Sequence, residues 1–83
     1  MTFTILLHPS ADKFLNKCDK LLSERIKEKL RKLKDHPFAY IEHYEGDYYK
    51  LRVGDYRVLL DIDMERKEIL VQTIDHRSRI YKR

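Results

Sequence analysis

The chain has 83 residues, 18 Lys and Arg against 14 Asp and Glu, a formal net charge of +4 at neutral pH, and one cysteine. A chain this short buries roughly 60% of its unfolded surface, enough for one small core, which excludes a multidomain enzyme or a large enclosed cofactor site. Cys18 has no partner for an internal disulfide, so a reducing, cytoplasmic setting is expected; no stretch approaches the ~20 apolar residues of a membrane span or has the layout of a secretory signal.

In chain order, Thr2 to Leu7 is a short β-rich run, interrupted by His8-Pro9-Ser10. Ser10 is placed to cap a helix whose apolar face is Ala11, Phe14, Leu15 and Cys18, spaced i, i+3, i+4, i+7. A break near Asp19 precedes a longer helix with Leu22, Ile26, Leu30 and Leu33 in one stripe, ended by Asp35-His36-Pro37. Its remaining surface is basic, with Arg25, Lys27, Lys29, Arg31, Lys32 and Lys34 against Glu24 and Glu28.

Phe38 to Asp47 reads as a connection with Gly46 as its most permissive point. The period then changes to 2: Tyr49, Leu51 and Val53 alternate with Tyr48, Lys50 and Arg52. Gly54-Asp55 fits a two-residue type II′ turn. Tyr56, Val58, Leu60 and Ile62 follow on one face, with Arg57, Leu59 and Asp61 on the other. Asp63 to Lys67 is a second turn and Glu68 to Asp75 a further strand, and from His76 onward the chain is a basic tail without acids. The predicted fold is α+β over residues 1–83 as a single domain: an N-terminal strand, a two-helix hairpin, then a three-stranded antiparallel meander with the helices on one face.

The hairpin register carries the functional inference. With Gly54 and Asp55 as loop residues, Arg52 lies opposite Arg57 and Lys50 opposite Leu59, all on the face away from the apolar set. Two opposed arginines repel unless a carboxylate or an anion lies between them; Asp61 can supply part of that relief, and a phosphate more. With Arg77 and Arg79 following, such a cationic face would track a phosphate backbone, and Tyr48 and Tyr81 could stack on bases. The bland alternative is a plain solvated face. The histidines at 8, 36, 43 and 76 lack metal-ligand spacing, and with glycines only at 46 and 54 there is no phosphate loop, so neither metal nor cofactor is expected.

The run Tyr49-Lys50-Leu51-Arg52-Val53-Gly54-Asp55-Tyr56-Arg57-Val58, closed by His76-Arg77-Ser78-Arg79-Ile80-Tyr81, resembles the RelE/ParE superfamily of bacterial and archaeal toxins. The opening strand, the Pro9-Ser10-Ala11 start of the first helix, the charged second helix and Pro37 extend the resemblance over nearly the whole chain. It implies the toxin of a type II toxin–antitoxin pair. In the RelE-like branch such a toxin is an mRNA interferase, cutting messenger RNA in the ribosomal A site by attack of the 2′-OH, without metal. The implied catalytic residues are Lys50 (proton removal), Arg57 (transition-state charge), Arg77 (leaving oxygen) and Tyr81 (base stacking), with His76 as a further proton-transfer candidate. Tyr48, Arg52, Arg79, Lys82 and Arg83 are the implied RNA-binding set. The implied partners are a RelB-like antitoxin and the ribosome with its message; DNA is reached only through the antitoxin complex, and no membrane is involved. Two positions depart from the RNA-cleaving branch: Tyr48 stands where a second lysine is found, and Glu45 precedes Gly46 where a basic residue is frequent. Two other readings therefore stay open: a ParE-like inhibitor of DNA gyrase, and a non-catalytic RNA- or ribosome-binding member.

Overall fold

Where Pro9 opens a helix and two glycines adopt positive φ, the local chemistry sets the chain path. The computed structural model describes residues 2–76. Strand β1 (Thr4–Leu7) leads into helix α1 (Pro9–Lys17), then α2 (Lys20–Leu33), a single 3₁₀ turn (Pro37–Ala39), and strands β2 (Ile41–Glu45), β3 (Tyr48–Val53), β4 (Tyr56–Asp63) and β5 (Glu68–His76). The sheet order is β1-β5-β4-β3-β2, with β1 parallel to β5 and every other pair antiparallel.

The helix boundaries follow their caps. Pro9 occupies the first turn of α1, where its missing N–H costs nothing. The cap is His8 rather than the expected Ser10: His8 Nδ1 accepts from the Ser10 amide at 3.1 Å, and Ser10 Oγ instead donates to the Gln72 carbonyl at 2.8 Å, tying α1 to β5. The break falls where the sequence puts it. Cys18 ends α1, and Asp19 caps α2 by accepting from the Leu22 amide at 3.0 Å. Asp19→Ala removes that acceptor and should cost about 1 kcal/mol in urea unfolding, whereas Asp19→Asn should stay close to the parent.

Ala11 and Leu15 of α1, with Ile26, Leu30 and Leu33 of α2, are buried against Leu51, Val53, Val58, Leu60, Ile69 and Val71 of the sheet. Both helices thus cover one face, α1 over β5 and β1 and α2 over β3. The Phe3 amide donates to the Lys34 carbonyl at 2.8 Å, fixing the start of β1 to the end of α2. Among the described residues, no helix is long and apolar enough to cross a membrane.

One segment departs from the sequence reading. Ile41–Glu45, taken there as part of a connection, is a strand on the outer edge of the meander, so the antiparallel part of the sheet runs β2 to β5. Gly46, at φ +57°, makes the tight return into β3 just as Gly54, at φ +61°, does into β4.

Candidate functional site

The positive φ of Gly54 with none at Asp55 is the type II′ pattern, and it locks the β3–β4 register. Val53 lies opposite Tyr56, Arg52 opposite Arg57, Lys50 opposite Leu59 and Tyr48 opposite Asp61, as the alternation requires. Because Leu51, Val53, Val58 and Leu60 are buried beneath the helices, Tyr48, Lys50, Arg52 and Arg57 belong to the opposite, outer face.

Strand β2 adds to this face a residue that the sequence reading leaves out. Glu42 lies opposite Lys50. Its Oε1 is 3.9 Å from Lys50 Nζ and 3.8 Å from Arg52 Nε. Lys50 is held close to the sheet, its side chain 16% exposed, and its ammonium lies 5.9 Å from the centre of the Tyr44 ring. Arg52 reaches into solvent at 64% exposure. Exposed ion pairs of this length contribute little to stability, about 0–1 kcal/mol. What they do here is hold a carboxylate beside two cations.

Arg57 behaves differently from an exposed cation. It is only 5% exposed, and its Nη1 donates to the Tyr56 carbonyl at 3.2 Å and the Gly54 carbonyl at 3.5 Å. The opposed arginines therefore part: Arg52 leans toward Glu42 while Arg57 curls onto its own turn. Glu42, rather than the expected Asp61, is the carboxylate at ion-pair distance from Arg52. Asp75 is the β5 register partner of Arg57, and its Oδ1 accepts from the His76 amide at 2.8 Å. Glu42, Asp61 and Asp75 accompany Lys50, Arg52 and Arg57, so the described part of the outer face sets carboxylates among its cations; Arg77 and Arg79 of the expected cationic face lie outside the described residues.

His76 is not brought to this cluster. It lies opposite Tyr56, its ring edge-on to the tyrosine at 5.4 Å, and Tyr56 in turn meets Phe14 of α1 at 5.7 Å. His76 thus belongs to the helix side of the sheet, across from Lys50 and Arg52. Tyr48 is on the outer face and 43% exposed. Arg77, Arg79, Tyr81, Lys82 and Arg83 lie outside the described residues. Among the described residues, no group of three or more His, Cys, Asp and Glu side chains is gathered for a metal ion. What the cluster offers chemically is a carboxylate able to accept a proton, beside cations able to hold an anion.

The sequence model of a family described as the ParE toxin of type II toxin–antitoxin systems, parDE, matches residues 5–81. Among solved structures, a chain of the archaeal RelE–RelB complex from Pyrococcus horikoshii is similar at 26% identity and a TM-score of 0.79, covering 95% of this chain and 99% of that one. A chain of the toxin–antitoxin complex RelBE2 from Mycobacterium tuberculosis shares the fold at 22% identity and a TM-score of 0.83, covering 93% and 100%. The YoeB/ParE toxin from Agrobacterium tumefaciens shares it at 19% identity and a TM-score of 0.75, covering 89% and 98%. No curated protein sequence matches the chain.

Proposed function

Because this chain belongs to the ParE toxin family of type II toxin–antitoxin systems, we propose that it acts as the toxin of such a pair and, within the RelE/ParE fold, as a ribosome-dependent endoribonuclease. The observation that supports this reading most is the Glu42–Lys50–Arg52 cluster on the outer face of the sheet. RNA cleavage by its own 2′-OH needs three things: a proton acceptor, positive charge on the phosphoryl oxygens, and protonation or charge neutralisation at the departing 5′ oxygen.

Glu42 suits the first task better than Lys50, because a carboxylate accepts a proton directly and an ammonium must first lose one. Lys50 and Arg52 then hold the non-bridging oxygens, and Arg57 adds positive charge behind them from the hairpin. The 2′ oxygen forms its bond to phosphorus as the bond to the 5′ oxygen breaks, leaving a 2′,3′-cyclic phosphate and a 5′-hydroxyl. Arg77 is assigned to the charge on the departing oxygen and Tyr81 to stacking on the base. Two groups of the cluster can give that oxygen its proton, the carboxyl that Glu42 has just become and the Lys50 ammonium. A site with so few groups depends on its substrate being aligned for it, and the ribosome supplies the alignment.

A RelB-like antitoxin is the partner proposed, by similarity to the RelE–RelB complex. Leu6 and Leu7 are exposed on the edge strand β1, and Leu7 shares a shallow groove with Lys27, Arg31 and Lys34 of α2. An acidic segment with aliphatic anchors would suit that surface.

The test is primer extension on programmed 70S ribosomes with an empty A site. The wild type should break the message within the A-site codon and leave naked message intact. Glu42→Gln should slow the break by about 10²–10⁴-fold if the carboxylate takes the proton. The carboxylates set among the cations of the outer face favour a second reading, inhibition of DNA gyrase, since a protein target does not require a cationic track. An intact message together with inhibited supercoiling would establish that reading instead.

A further inference from the structure

Two irregularities interrupt the sheet ladders, and both fall on one patch. Between His43 and Glu45 the β2–β3 register shifts, so that Tyr44 and Glu45 together face Tyr48. Between Leu59 and Leu60 the β4–β5 register shifts, which makes Gln72 the additional residue between Val71 and Thr73. A bulge bends its strand and re-aims the side chains beside it. Here the two bulges hollow the outer face into a cleft of about 480 Å³ lined by Tyr44, Glu45, Tyr48, Leu59, Gln72 and Thr73. The Gln72 bulge is pinned from behind by the Ser10 hydroxyl on its carbonyl.

Resting on the nuclease reading above, we infer that this cleft is a nucleobase subsite, with Tyr44 and Tyr48 as its stacking surfaces and Gln72 and Thr73 as its hydrogen-bonding edge. The two rings supply the apolar faces that any base can stack on. Gln72 brings both a carbonyl and an amide, and Thr73 a hydroxyl, so hydrogen-bonding groups stand beside the apolar ring faces and Leu59, as in small-ligand sites. Charge sets the orientation. Lys50 stands on one side, 5.9 Å from the Tyr44 ring, and Glu45 stands on the rim. A phosphate is drawn to Lys50 and repelled by Glu45, so the backbone runs along Lys50 and Arg52 and the base turns into the cleft. Tyr44 is thereby a positioning residue, setting where the scissile phosphate falls relative to Glu42.

The experiment uses a 2′-O-methyl trinucleotide, which lacks the attacking hydroxyl, titrated into the isotope-labelled full chain and followed by NMR. Expected are ring-current shifts at Tyr44 and Tyr48, a shift of the Gln72 side-chain amide, and about tenfold weaker binding for Tyr44→Ala, with Tyr44→Phe close to wild type. If Tyr44→Ala does not fold, Tyr48→Ala at the more exposed position carries the same expectation. Shifts confined to Lys50 and Arg52, or unchanged affinity in the alanine variants, would overturn the subsite. Ribosomal cleavage is scored separately. A wild type that binds through its rings yet cuts nothing refutes the nuclease reading and leaves the subsite standing; one that cuts with silent rings refutes only the subsite.

Discussion

Arg57→Ala should lower A-site cleavage by on the order of 10²–10³-fold, the loss expected when one fixed donor to transition-state charge is removed. The fold will register the change too. The sequence alone presents Arg57 as a cation on the face away from the apolar set. In the structure it is 5% exposed, and its Nη1 donates to the Tyr56 and Gly54 carbonyls. Alanine withdraws that donor at the β3–β4 turn and should cost about 1–3 kcal/mol in urea unfolding. Arg57→Lys separates the two effects. A lysine keeps the charge but not the forked geometry, so stability should recover partly while cleavage stays depressed. Cleavage that tracks the folded fraction through both variants would show Arg57 to be a brace for the turn and nothing more.

Leu60→Ala should have the largest effect on stability. Leu60 is fully buried on β4, the middle strand of the sheet order, and packs in the cluster that includes Ile26, Leu33 and Val71. Truncation of a buried leucine costs about 2–5 kcal/mol, against a total of about 4–12 kcal/mol for a chain of this length. At about 4–8 °C per kcal/mol, the melting temperature should fall by about 8–40 °C in calorimetry. Leu60→Met should recover most of the loss. Leu6→Ala, at 41% exposure on the edge strand, should stay within about 1 kcal/mol of wild type.

The helices, the β3–β4 register and the buried faces were legible because each rests on a local period or a local turn. The i, i+4 stripe of α2 and the alternation around Gly54 carry their own geometry. Strand β2 is harder to read, since Ile41-Glu42-His43-Tyr44-Glu45 is too polar to signal a strand and its bulge breaks the alternation. A usable signal was nevertheless present: Gly46-Asp47-Tyr48 repeats Gly54-Asp55-Tyr56, and the same triplet makes the same kind of turn. Reading it would have paired β2 with β3, but the turn alone sets His43 opposite Lys50; the bulge between His43 and Glu45 is what brings Glu42 there. The burial of Arg57 has no such signature. It follows from how a side chain folds back onto a turn, which strand periodicity does not encode.

The parallel pairing of β1 with β5 bears on how and when the molecule assembles. Each hairpin of the meander joins residues close in the chain, but Thr4 must find Glu68 and Leu7 must find Val71, across nearly the whole length of the polypeptide. Such distant closures are the slow steps of folding. During synthesis β1 emerges before β2 to β5 and waits for its sheet partner until β5 has followed it out. The sheet therefore stays incomplete until residues 68–71 have been made and have left the ribosome.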